Sequence, residues 1–176
     1  MKKFIAMMAV ALVAVSASAA SIDWVLSLGR TGKVLDSTGA ALTGNIYLVL
    51  ADTTFDATSA EEFVSQLNDA TLGTTAISAG KAPSSAATAT SDTIKAGTAY
   101  DFAVVVYDAT AGLFYMSAVN SGKAYQQGVD DAIELTFTAA NMAAPSQWTP
   151  TYTAVPEPAS AMLALAGVAM LIRRRK

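Results

Sequence analysis

The chain is 176 residues long, contains neither cysteine nor histidine, and carries a formal net charge of −3. Those two absences exclude disulfides, thiolate and imidazole metal sites, a cysteine nucleophile and the commonest general base. Six of the eleven Lys and Arg lie at the two ends, so residues 20–155 hold five cations against thirteen acids, a net −8 that opposes binding to nucleic acid or anionic lipid.

In chain order, Lys2 and Lys3 precede an apolar stretch over residues 4–15 and then the small residues Ala17-Ser18-Ala19. A basic start, an apolar run and a small-x-small end predict a secretory signal peptide over residues 1–19. Signal peptidase would read Ala17 and Ala19 and cut after Ala19 or Ala20. From there the hydrophobic period is mostly two. Residues 24–28 and 33–36 are short strand candidates, with turns at 29–32 and at Ser37-Thr38-Gly39. Residues 44–51 predict another strand, with Ile46, Leu48 and Leu50 on one face and Tyr47 and Val49 on the other. Ser59-Ala60-Glu61-Glu62 fits a capping box, and Phe63, Val64 and Leu67 share a helical face, so residues 60–68 predict a short helix.

Residues 79–98 are small and polar with little to bury, which predicts that part of this stretch is an exposed loop. Residues 100–107 and 113–119 are apolar on both faces, and Asp108-Ala109-Thr110-Ala111-Gly112 between them makes a β-hairpin. In residues 131–139, Ile133, Leu135, Phe137 and Ala139 alternate with Glu134, Thr136 and Thr138, the pattern of a half-buried strand. The expected fold is mainly β: one antiparallel β-sandwich-like domain with one short helix over residues 20–140, flanked by the signal peptide and a C-terminal hydrophobic helix. Residues 141–154, with Pro145 and Pro150, read as a linker.

The last twenty-two residues have three parts in order: Val155-Pro156-Glu157-Pro158, an apolar run over residues 159–172, and Arg173-Arg174-Arg175-Lys176. Fourteen residues rise only about 21 Å as a helix, short of a roughly 30 Å hydrocarbon core, and the basic cluster can lengthen the span by snorkelling. Lys and Arg are retained on the cytoplasmic side, so both basic ends stay behind and the acidic middle crosses the membrane as a hairpin.

This arrangement resembles the PEP-CTERM sorting tail found in Gram-negative-type bacteria. The resemblance is confined to residues 155–176, and no domain family is recognised for residues 20–154. It implies transient recognition by exosortase, removal of the tail near Pro156-Glu157-Pro158, and release or transfer of the remainder to the cell surface or an extracellular polymer matrix. A plain C-terminal anchor that is never cut would show the same helix and the same basic stop.

Candidate chemistry in the exported part is sparse. Ser78-Ala79-Gly80-Lys81 matches a Ser-x-x-Lys motif, with Ser91-Asp92-Thr93 a near miss to a partner motif, but a polar loop accounts for both. Glu61 with Glu62, and Asp130 with Asp131, are adjacent acids whose side chains point different ways, which is unlike a glycosidase pair. Calcium needs neither His nor Cys, and Asp130, Asp131, Asp52 and Asp56 are candidate contributors, though no EF-hand loop occurs. The triplets Asp56-Ala57-Thr58, Asp69-Ala70-Thr71 and Asp108-Ala109-Thr110 read as turns. Aromatics including Tyr47, Tyr100, Tyr107 and Trp148 could contribute a sugar-stacking platform. Thr-x-Thr pairs at 88/90, 136/138 and 149/151 resemble the flat Thr arrays of ice-binding sheets, but no regular repeat links them.

The expectation is therefore a non-enzymatic, exported surface or matrix protein with no catalytic residue, metal or cofactor. Its runner-up is an exopolysaccharide-binding module, and a carboxylate hydrolase ranks third.

Overall fold

The structure, a computed structural model, describes residues 19–83, 85–125, 132–145 and 147–153. It is mainly β: strands β1 (Ala20–Ser27), β2 (Gly44–Leu50), β3 (Gly73–Ile77), β4 (Ala87–Ser91), β5 (Ala99–Asp108), β6 (Leu113–Met116), β7 (Asn120–Ala124), β8 (Ile133–Thr138) and β9 (Thr149–Pro150), with one helix, α1 (Ala60–Ala70).

Two sheets form. The smaller has the order β4-β1-β8; the larger runs β3-β2-β5-β6-β9, with β7 also paired to β5. β5 is long enough to carry two partners on one edge, β6 beside Val105–Asp108 and β7 beside Ala99–Phe102. At the step between them, Ser117 Oγ accepts from the Val104 amide at 2.9 Å and the Ser117 amide donates to the Val104 carbonyl at 2.8 Å, so a side chain completes the ladder. The ladders are antiparallel except one: β1 and β8 run parallel, from Ile22 opposite Ile133 to Ser27 opposite Thr138. The wholly antiparallel expectation is corrected there. The two strands are far apart in sequence, and a long connection permits parallel pairing.

The burial pattern explains which strands the sequence announces. β8 alternates buried and exposed, with Ile133, Leu135 and Phe137 inside, because only one face of the small sheet meets the core. Ala139 falls in the turn beyond and is exposed, so it does not extend that face. β5 is apolar on both faces because both are covered. Phe102, Val104 and Val106 join Ile22, Trp24, Leu26, Leu135 and Phe137 of the small sheet in one core. Ala103 and Val105 face a second core with Val49, Phe63 and Leu67.

The helix lies over that second face. Its Ser59 N-cap accepts the Glu62 amide at 3.2 Å, while Glu62 Oε2 reaches back to the Thr58 amide and hydroxyl at 2.8 and 2.7 Å. That is a capping box shifted by one residue. Asp56 and Gln66 exchange hydrogen bonds of 3.0 and 3.1 Å, which fastens the preceding loop to the helix. Phe63 and Leu67 are buried, whereas Val64, expected on the same stripe, is 37% exposed.

Four details correct or refine the expectations. Residues 33–36 form only an isolated bridge, Leu35 opposite Ala41, rather than a strand. β6 ends at Met116, so the second arm of the hairpin is shorter than the apolar run. Within residues 79–98, expected in part as an exposed loop, Ala87–Ser91 forms β4, whose Ala89 and Ser91 are buried against β1. In the segment read as a linker, residues 141–154, described positions pack on the domain: Met142 and Thr151 are buried, the Tyr115 hydroxyl donates to the Met142 carbonyl at 3.1 Å, the Trp148 and Tyr115 rings are nearly perpendicular with centroids 4.8 Å apart, and β9 pairs with β6.

Candidate functional site

The predicted sorting residues fall largely outside the described part of the chain. Ala17, Val155, Pro156, Glu157, Pro158 and Arg173 to Lys176 all lie there, as do Asp130 and Asp131 and the predicted helix over 159–172. Among the described residues no helix is long and apolar enough to cross a membrane. Ala19 is exposed, and Ala20 is fully buried as the first residue of β1, opposite Ser91. At the other end, the Thr153 amide donates to the Ala57 carbonyl at 3.2 Å, so the packed chain reaches within two residues of Val155.

Ser78 and Lys81 meet, but as a turn. They exchange both backbone hydrogen bonds at 3.0 Å around Ala79 and Gly80, whose φ values of 49° and 76° are those of a type I′ hairpin turn. A Cβ at Gly80 would also lie 2.8 Å from the Val34 carbonyl oxygen. The Lys81 ammonium donates to the carbonyls of Arg30 at 3.0 Å, Gly29 at 3.3 Å and Gly32, closing the loop that follows β1. These three hydrogen bonds all go to that loop and none to Ser78.

Two Thr-x-Thr pairs do share a face. Thr88 and Thr90 of β4 and Thr136 and Thr138 of β8 are exposed on either side of β1. Between them sits Asp23, which accepts the Thr88 hydroxyl at 2.7 Å and stands opposite Glu134. The face is therefore charged at its centre. Thr151, from the third pair, is buried.

The arrangement with the most chemistry is a cleft of about 230 Å³ where β2 begins and β5 ends, lined by Asp36, Asn45, Tyr47, Tyr107, Asp108 and Thr110 among others. Cross-strand register places Tyr47 opposite Val105, so Tyr47 and Tyr107 are diagonal neighbours on the helix side of the large sheet. Asp108 is nearly buried, and its carboxylate clamps the cleft together. Oδ2 accepts the Ser37 hydroxyl at 2.6 Å and the Ser37 amide at 3.1 Å, while Oδ1 accepts the Thr110 and Ala111 amides at 3.1 and 3.0 Å. Asp36 Oδ1 likewise accepts the Thr38 hydroxyl and the Thr38 and Ala40 amides at 2.7, 2.9 and 2.9 Å.

Burial pushes the Asp108 carboxyl up, but the Ser37 hydroxyl and the surrounding amides outweigh it and hold the group below its ordinary value. The Thr38 hydroxyl and the nearby amides lower Asp36 as well, against a smaller opposing push from desolvation and the Asp108 charge. Burial, with Tyr47 and Asp108 nearby, raises Tyr107. At neutral pH the cleft thus holds two carboxylates beside the Tyr47 and Tyr107 rings, and among the described residues no Lys or Arg lines it.

The sequence places Tyr47 and Tyr107 in strands and among the aromatics, and Asp108 in a turn, without bringing the three together. The turns at Ser37-Thr38-Gly39 and at Asp108 to Gly112 are legible in the sequence, whereas Asp36 reads as the end of a strand. That one turn's serine binds the other turn's aspartate across 71 positions is not legible there.

Comparison with protein-family models, curated proteins and solved structures finds no match in any of the three. Two other open grooves, of about 450 and 500 Å³, are lined respectively by Val25, Leu28, Lys81, Pro83 and Thr136 among others, and by Asp52, Asp101, Tyr100 and Val119 among others. No group of three or more acids able to hold a metal ion occurs among the described residues.

Proposed function

We propose that this is an exported, non-enzymatic cell-surface or matrix protein, delivered by an N-terminal signal peptide and a PEP-CTERM-like tail that exosortase removes. The observation that carries the reading is the ordered tail, Val155-Pro156-Glu157-Pro158, an apolar run and Arg173-Arg174-Arg175-Lys176, with Lys2 and Lys3 at the opposite end. It is supported by Ala20, buried opposite Ser91, and by Thr153, whose amide donates to the Ala57 carbonyl: described residues close to both proposed cuts belong to the folded domain.

Intact mass of the protein extracted from the cell surface tests it. A mass lacking residues 1–19 and the tail is expected. Retention of Arg173 to Lys176 would instead identify an uncleaved, membrane-anchored envelope protein.

For the domain we infer a sandwich-like arrangement, since both sheets contribute to one core and converge at two places. A Cβ on Gly73 of β3 would lie 2.7 Å from the Ala89 Cβ of β4, and Asn120 of β7 donates to the Thr136 carbonyl of β8 at 3.2 Å.

A second reading, a polysaccharide-binding module, is favoured by the Tyr47, Tyr107, Asp36 and Asp108 cleft. A hydrolase finds less support in the same cleft. Glycosidic acid catalysis wants one carboxyl held above its ordinary value, and both carboxyls here are held below it.

A further inference from the structure

We infer that the cleft between the Asp36 turn and the β5 end binds a protonated amino sugar, its ammonium against the Asp36 carboxylate and its ring beside Tyr47 and Tyr107. The inference rests on the polysaccharide-binding reading and names the sugar class. Asp108 spends both oxygens on Ser37, Thr110 and Ala111, so it is the scaffold. Asp36 is different: its three hydrogen bonds all fall on Oδ1, and Oδ2 has no partner among the described residues. The Tyr47 and Tyr107 hydroxyls and the Asn45 amide also lack hydrogen-bond partners there, though all three line the cleft.

Two carboxylates with no lining cation among the described residues make a local negative potential that selects for positive charge. Tyrosine beside carboxylate is the chemistry that recognises an ammonium, through charge-assisted hydrogen bonds and cation–π attraction. The spare hydroxyl and amide groups match the ring hydroxyls of a sugar, which a lysine side chain would leave unused. At about 230 Å³ the cleft is smaller than most ligand pockets and suits one ring of a chain, not several. The bonds from Ser37, Thr38 and Ala40 already hold the turn in place, so binding has little ordering to overcome.

The test uses the full chain in detergent micelles and calorimetric titration in slightly acidic buffer, where the sugar amine is charged. Probes are a glucosamine oligosaccharide, its N-acetylated counterpart and a lysine peptide. The deacetylated oligosaccharide should bind, and its affinity should fall as salt rises. Acetylation should weaken it about tenfold or more, and so should Asp36→Asn, each removing one charge-assisted hydrogen bond. Asn45→Ala, at an exposed position outside the Asp36 and Asp108 hydrogen bonds, should weaken it a few-fold while leaving the unfolding temperature in place.

Equal binding of the two oligosaccharides, or full binding by both variants, overturns this site while leaving a polysaccharide-binding module with another site standing. A lysine peptide that binds as tightly as the amino sugar overturns the sugar assignment. Absence of binding to any glycan sinks the site and the module reading together.

Discussion

Replacing Asp108 by Ala gives the sharpest check on how the cleft is held. The side chain is 6% exposed and accepts four hydrogen bonds, two from Ser37 and one each from the Thr110 and Ala111 amides. Truncation strands those donors. A buried donor left unpaired costs about 1–3 kcal/mol, but Ser37 and the β5–β6 turn lie near the surface and water can reach part of the set. A net loss of about 2–4 kcal/mol follows, corresponding to a fall of roughly 10 °C in unfolding temperature for a domain of this size.

The pH dependence has a definite sign. Asp108 titrates lower folded than unfolded, so its contribution is complete above the unfolded value, about 4, and disappears as pH falls through the lower folded value. Thermal unfolding followed by tryptophan fluorescence suits the measurement, since Trp24 is buried and Trp148 half-buried. Wild type and Asp108→Ala should differ widely at pH 7 and converge toward pH 2. A gap of one or two degrees at neutral pH, or a gap that stays constant into strong acid, would refute the assignment of Asp108 as the clamp.

Phe63→Ala should cost about 3–5 kcal/mol in denaturant unfolding, since Phe63 is fully buried and its ring lies 4.9–5.3 Å from those of Phe55, Tyr107 and Phe114. Ending the chain after Ala140 should destabilise it by about 3–5 kcal/mol relative to ending it after Thr153, because Met142 and the Trp148 contact on Tyr115 are lost; equal stability would mean that this segment is the linker its prolines suggest. Ser78→Ala should leave the unfolding temperature within a degree or so, while Lys81→Met, which frees the carbonyls of residues 29, 30 and 32, should lower it by several degrees. Tyr115, whose phenol burial pushes up to about 12, should resist spectrophotometric titration until the fold opens at high pH.

By itself the sequence determined what depends on local pattern. β5 and β8 are legible because their side chains record how many faces are covered, two for Phe102 to Val106 and one for Ile133 to Phe137. The helix is legible because Ser59, Glu62, Phe63 and Leu67 supply its cap and its buried stripe within a few residues. The terminal charges and apolar runs, read as export and sorting signals, are likewise properties of contiguous residues.

Only the tertiary structure decided what depends on residues far apart. Ala87 to Ser91 is small and polar enough to read as a loop, and becomes a strand because β1 offers it a ladder. Residues 141–154 carry prolines and read as a linker, yet Tyr115 packs nearly perpendicular to Trp148 and donates its hydroxyl to the Met142 carbonyl. β8 pairs parallel to β1 across most of the chain. The cleft, too, exists only because Ser37 donates to Asp108 from a turn 71 positions away, and no local periodicity records a contact made across that distance.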